Sequence, residues 1–188
     1  QKDIETARPN VWKPQVELEY GITDHWDASM YQMFKQSNTD DSDKFTYEGF
    51  KIRTRYRILE KDALPVDILL YLEYIRPGDF KEPNELEEKL VFAKDIGKFN
   101  ISYNHIFAQK LESGARGEYE YAAGISYEVT PSFKVGLESK GSFTDEKYYI
   151  GPTVGLATSK FWVNVGVVAG LNRQSDDMQA RMIVGVLF

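Results

Sequence analysis

The 188-residue chain carries 23 basic and 29 acidic residues, a formal charge of −6, and no cysteine. The acidic balance repels nucleic-acid phosphate, and the lack of thiols excludes disulfides, zinc–thiolate sites and thiol catalysis. Aromatic residues at 14% are too frequent for a disordered chain, no stretch approaches the roughly 20 apolar residues of a spanning helix, and the length predicts one domain over residues 1–188.

The order of the residues says more than their averages. In residues 15–23, Val16, Leu18, Tyr20 and Ile22 alternate without exception with Gln15, Glu17, Glu19, Gly21 and Thr23. Successive strand side chains point to opposite faces, so this is a strand with one apolar and one polar face. A weaker segment follows at 26–35. Phe50, Ile52, Thr54, Tyr56 and Ile58 then alternate with Lys51, Arg53, Arg55 and Arg57. Ile68, Leu70, Leu72 and Tyr74 alternate with Asp67, Leu69, Tyr71 and Glu73, and a second weak segment occupies 85–94. The same period runs through 99–107, 118–128, 133–138, 148–156, 161–168 and 178–188. The count is about eleven strands of roughly nine to eleven residues, the length that crosses a bilayer at a tilt. Short turns are expected at 23–26, 59–65, 96–98, 130–132 and 158–160. Longer polar loops alternate with them at 36–46, 76–84, 109–116, 140–146 and 172–176. Such sorting of loops to opposite ends is the habit of a transmembrane barrel.

Three features assign the faces. Gly21, Gly124, Gly136, Gly151, Gly155, Gly166 and Gly185 lie on the polar face, and the crowded concave side of a closed sheet needs small residues. The apolar face carries too many large side chains for the lumen of a small barrel to hold. Aromatic residues gather near strand ends (Trp12, Trp26, Tyr47, Tyr74, Phe99, Phe107, Tyr119, Tyr127, Phe133, Tyr148, Phe161, Phe188), where interfacial girdles sit. The expected fold is all-β: an antiparallel up-and-down transmembrane β-barrel of about twelve strands.

The last strand ends in an alternating apolar run closed by Phe188, and residues 17–26 and 130–132 read as strand–turn units. In this the chain resembles the Gram-negative outer-membrane β-barrel proteins over nearly its whole length. The resemblance implies residence in the bacterial outer membrane, contact with membrane lipid and lipopolysaccharide, and recognition of the Phe188 strand by the barrel-assembly machinery. It also implies a periplasmic C-terminus and an export signal already removed before Gln1. Counting back from that end makes 15–23 a downward strand. Because such barrels normally have an even strand number, an upward strand is expected over residues 1–8, with a turn at 9–13.

The polar face supplies the candidate functional residues. Lys51, Arg53, Arg55 and Arg57 form a basic column, with Asp67 and Glu73 on one side and Asp27, Glu17 and Glu19 on the other. Glu118, Glu120 and Glu128 form an acidic row beside Lys134 and Glu138, and Lys89, Lys140 and Arg181 are scattered. These residues are expected to line a narrow water-filled channel for small polar or charged solutes. Pairing across strands, in a sealed barrel that works structurally or through adhesive loops, is the alternative. A lipid-modifying enzyme is a further alternative. The outer-membrane phospholipase pattern of a His with a Ser two residues later is not met, because Phe107 follows His105. His25 beside Asp24 reads as a turn residue, and the acidic run at 39–44 as a solvated loop. No phosphate loop, zinc signature or catalytic motif is present, so neither a cofactor, a resident metal nor an enzymatic activity is expected.

Overall fold

The structure, a computed structural model, describes residues 11–39 and 42–187. Twelve strand segments occur in chain order: β1 (Val11–Trp12), β2 (Gln15–Gly21), β3 (Trp26–Thr39), β4 (Ser42–Arg57), β5 (Asp67–Pro77), β6 (Glu85–Ile96), β7 (Phe99–Lys110), β8 (Glu118–Thr130), β9 (Phe133–Ser142), β10 (Lys147–Ala157), β11 (Phe161–Gly170) and β12 (Met178–Val186). They form one antiparallel up-and-down sheet in which sequence neighbours pair. Among the described residues there is no helix.

Both β1 and β2 pair with β3 in one continuous register: Val11 faces Ser37, Trp12 faces Gln36 and Gln15 faces Met33. They are one edge strand interrupted at Lys13 and Pro14. Proline lacks a ladder donor and is tolerated at an edge, and the Pro14 carbonyl still accepts the Phe34 N–H at 2.9 Å. The turn expected at 9–13 is therefore corrected, since Val11 and Trp12 already belong to the strand. The upward strand expected over 1–8 lies outside the described residues. From β2 to β12 the strand direction alternates, so these two edge strands run the same way.

The two weak segments are full strands, β3 and β6. The loop expected at 36–46 is largely strand as well: the β3–β4 ribbon continues through Gln36 opposite Phe45 and Ser37 opposite Lys44. Phe34 stacks on Phe45 at 5.4 Å there and extends the apolar face upward. The ribbon is bent by a bulge, where Met33 faces Gly49 but Phe34 faces Tyr47, leaving Glu48 as the extra residue. Gly49 takes φ 121°, and backbone atoms of Arg76, Pro77 and Gly78 crowd the place its Cβ would occupy. At the lower end, the connections at 97–98, 131–132 and 158–160 are as short as expected.

The register is strongly staggered. One row of paired residues runs Arg57, Leu69, Val91, Asn104, Ala122, Lys140, Tyr149, Gly170. It enters at the lower end of β4 and leaves at the upper end of β11, a 10-residue strand. A climb of one strand length across these seven interfaces corresponds to a strand tilt of about 40°, the stagger that a barrel requires.

Sidedness is the reverse of a soluble protein's. The buried residues Ser29, Met33, Arg53, Glu73, Ile106, Ala108, Ser142, Tyr149 and Val168 all belong to the polar face. On the other face Leu18 is 64% exposed and Met182 70%, with Tyr56 and Leu70 also exposed. The polar face is concave. Arg181 of β12 reaches Glu138 of β9 at 2.7 Å across two intervening strands, a span of about 14 Å in a flat sheet.

Candidate functional site

The concave face brings the sequence-predicted charges together, with unequal partners on two walls. On the β2–β6 wall a paired row places Glu19, Ser29, Arg53, Glu73 and Glu87 side by side. Arg53 is the hub. Its guanidinium donates to Glu19, to the Tyr31 hydroxyl and to Ser29 Oγ at 2.5 Å, lies 2.7 Å from Glu17, and sits over the Tyr31 and Tyr71 rings. Glu73, the other buried charge, accepts from Lys51 Nζ at 2.9 Å and from the Tyr71 hydroxyl at 2.6 Å. Arg55 pairs with Asp27 at 2.9 Å and Glu19 at 2.8 Å. Arg57 donates to the Asp24 carbonyl at 2.8 Å, and Lys89 pairs with Glu87 at 2.7 Å. The basic column is thus neutralised along its length, as buried ions require. Only Nε of Arg53 and Nε of Arg57 are buried without a partner among the described side chains.

The second wall, β7 to β11, is built differently. Small residues dominate its concave face: Ala108, Ala122, Gly124, Gly136, Gly151, Gly155 and Gly166. A Cβ built at Gly124 or Gly155 would make only ordinary van der Waals contacts, at 3.5 Å and beyond, whereas one at Gly136, Gly151 or Gly166 would collide with neighbouring atoms. Glu118 and Glu120 of β8, Glu85 of β6 and Lys140 of β9 have no ion-pair partner among the described residues. Lys140 instead lies over the Tyr149 ring, 5.8 Å from its centroid. Further down, Glu138 pairs with Arg181 and Lys134 lies 3.9 Å from Glu128. Asp67 is turned away to accept the Asp62 N–H at 2.7 Å in the β4–β5 turn.

Sequence reasoning did not single out Tyr31 and Tyr71, whose hydroxyls complete the Arg53–Glu73 network. The parity of Tyr71 with Glu73, and of Tyr31 with Asp27, was the available signal. His25 proves to be a turn residue with a definite task. Its Nε2 is 2.7 Å from Glu60 and its Nδ1 3.1 Å from the Arg57 carbonyl, tying the β2–β3 turn to the β4–β5 turn. The His25 hydrogen bond holds the Glu60 carboxyl below its ordinary value. Beside it, the Asp95 hydrogen bond raises Lys61. His105 lies on the apolar face, exposed, next to Tyr119.

Among the described residues no group of three or more His, Cys, Asp or Glu side chains has metal-binding geometry. The concave face thus has one salt-bridged wall and one small-residue wall whose carboxylates Glu118 and Glu120 have no ion-pair partner among the described residues. Compared with known families and with curated proteins, the chain matches no family model and no curated sequence.

Proposed function

We propose that the protein is a β-barrel of the Gram-negative outer membrane that passes small polar solutes, cations preferentially, through a narrow charged lumen. The observation that carries this reading is the reversed sidedness: among the described residues every buried side chain lies on the ionic face, while many leucines and aromatics of the other face are exposed. In water so large an exposed apolar surface would aggregate, whereas in lipid it is the stable arrangement. A bilayer leaves no unpaired strand edge. Because β2 and β12 run the same way, the reading requires one further strand of opposite direction between them.

A cylinder of twelve strands spaced ~4.8 Å apart and tilted ~40° has a backbone radius of ~12 Å. Arginine side chains reach ~6 Å inward from one wall, and Ile106, Tyr149 and Val168 are buried on the other, so the passage of this proposal is narrow and follows the small residues of that second wall. There the unpaired groups are Glu85, Glu118 and Glu120 against Lys140, which favours cations. The paired column of Lys51 to Arg57, expected from sequence to favour anions, contributes little field. Insertion by the barrel-assembly machinery and contact with lipopolysaccharide belong to the same proposal.

A second reading has its own observation. Arg53 and Glu73 are only 7% and 2% exposed, so the lumen at their level is filled, and a sealed structural barrel would need only that plug to extend. Planar-bilayer recording separates the two. A channel gives discrete conductance steps and a reversal potential of cation sign in a salt gradient, reduced in Glu118→Gln/Glu120→Gln. A silent membrane with correctly folded, inserted protein supports the sealed barrel.

A further inference from the structure

Glu88 and His105 interrupt the apolar face between the strand ends. In β6 Glu88 shares the parity of Leu86, Leu90 and Phe92 and stands between Leu72 and Phe107. In β7 His105 shares the parity of Tyr103 and Phe107 and stands between Leu90 and Tyr121. Both are exposed, and neither has an ion-pair or hydrogen-bond partner among the described residues. Although they are diagonal neighbours, they do not bond each other. An ion on the lipid side of a barrel is costly, and an ionisable group kept there points to a partner.

The strand tilt brings the two residues to one level. A row of paired residues climbs about 3 Å from β6 to β7 at a spacing of ~4.8 Å and a tilt of ~40°, so Phe107 lies above its partner Glu88 by that amount. His105 lies two residues below Phe107 in the upward strand β7, about 5 Å along the barrel axis. Glu88 and His105 therefore stand side by side within about 2 Å of the same depth. Copies that share one orientation in a membrane are related by axes along its normal, which keep every residue at its own depth. An acid and a base can meet across such an interface only if they are level, as these two are.

Resting on the outer-membrane reading above, we propose that this patch is the contact surface of a two-fold dimer of the chain, with Glu88 of each copy bound to His105 of the other. A two-fold axis between β6 and β7 sets β6 of one copy against β7 of its twin, so both contacts form at once. A self-complementary patch is what such an isologous interface requires. The groove of about 310 Å³ that Leu70, Leu72, Leu90 and Phe107 line with these two residues extends to the β5 side of that axis. It therefore faces β8 of the twin, where Tyr121 stands beside His105 on the outward face. Charge selects the occupant: an anionic headgroup would satisfy His105 and be repelled by Glu88, an acyl chain satisfies neither, and a second copy satisfies both.

The test is sedimentation equilibrium of the full chain in density-matched micelles, where the wild type should dimerise. Glu88→Leu and His105→Leu should each weaken the dimer about tenfold, since either change removes both symmetric bonds and one intramembrane hydrogen bond is worth a factor of about three. The exchange Glu88→His/His105→Glu rebuilds the reciprocal contact and should return dimerisation to within about threefold of wild type. The chain has no cysteine, so Leu90→Cys, close to the axis, should cross-link to its own twin in oxidised vesicles, while Val154→Cys on β10 should not. A monomeric wild type, a dimer indifferent to Glu88→Leu, an exchange variant as weak as the single changes, or equal cross-linking at the two positions overturns the interface. So does a monomer that retains lipopolysaccharide in native mass spectrometry and loses it in Glu88→Leu, which would put a lipid in the groove. Vesicle flotation keeps the two readings apart. Protein that enters vesicles and stays monomeric loses only the dimer, while protein that does not enter loses the membrane reading.

Discussion

Arg53 occupies a position where an ion is stable only because of its surroundings: Glu17, Glu19, Ser29, Tyr31 and Tyr71 enclose its guanidinium. Arg53→Met keeps the volume and removes the charge, leaving Glu17 without its cation while Glu19 keeps only Arg55. The expected cost is about 3 kcal/mol, read as a lower urea midpoint in micelles, with part of it recovered when Glu17→Gln and Glu19→Gln are added. An unchanged midpoint would mean that the network is not structural. Alternation placed Arg53 on the right face. It could not say that the side chain reaches across β3 to β2, because parity fixes a face and not a rotamer, so the neutralised column was visible only in the structure. Glu60 shows the same point at the lower rim. Its carboxyl is held below the ordinary value by His25, so the folded chain binds that proton less readily than the unfolded one. The stabilisation is fully present above the ordinary glutamate pKa and is lost as pH falls through the lowered folded value. The difference in urea midpoint between wild type and Glu60→Gln should therefore shrink on acidification from neutrality. A difference that is flat with pH would remove the His25 hydrogen bond to Glu60 as a source of stability.

Among the elements, the strongly alternating strands were legible to within a few residues, whereas 26–35 and 85–94 were legible only as weak segments, although they fall on β3 and β6. The reason is composition: Gln32 interrupts the apolar face of β3, and Glu88 and Lys94 interrupt that of β6, so periodicity fades although both neighbours still supply complete ladders. Tertiary pairing overrides a weak local pattern there. The β3–β4 ribbon was misread for the opposite reason, since polar composition at 36–46 imitates a loop. Its bulge makes a sharp prediction. At Gly49 a side chain meets both a positive φ and the backbone of the β5 end, so Gly49→Val should cost about 2–3 kcal/mol and loosen the upper hairpin in hydrogen exchange. At Gly155 the nearest atom to a new Cβ is 3.7 Å away, and Gly155→Ala should stay within about 0.5 kcal/mol. Equal costs at the two positions would show that strand propensity, not the bulge, sets the requirement for glycine.

For the molecule as a whole, one question decides between a lipid-clad cylinder and any soluble arrangement: which environment each face meets. The three tryptophans sample it independently. Trp12 pairs with Gln36 near the upper end of the edge strand, on the apolar face. Trp26 begins β3 at the lower end, also on the apolar face, with its indole N–H donated to Thr54 Oγ1 at 2.6 Å. Trp162 has the opposite parity, faces Gly185 in β12 and lies over the space that glycine leaves. Interfacial tryptophans belong at headgroup depth, so in single-tryptophan chains with the other two changed to Phe, Trp12 and Trp26 should be quenched by lipids brominated near the glycerol. Trp162 should be insensitive to brominated lipid and quenched instead by a small aqueous solute such as acrylamide, provided the lumen holds water at its lower end. Trp162 quenched by bromolipid as strongly as Trp26 would reverse the faces. Trp162 shielded from both quenchers would place it in a dry interior and favour the sealed barrel over the channel.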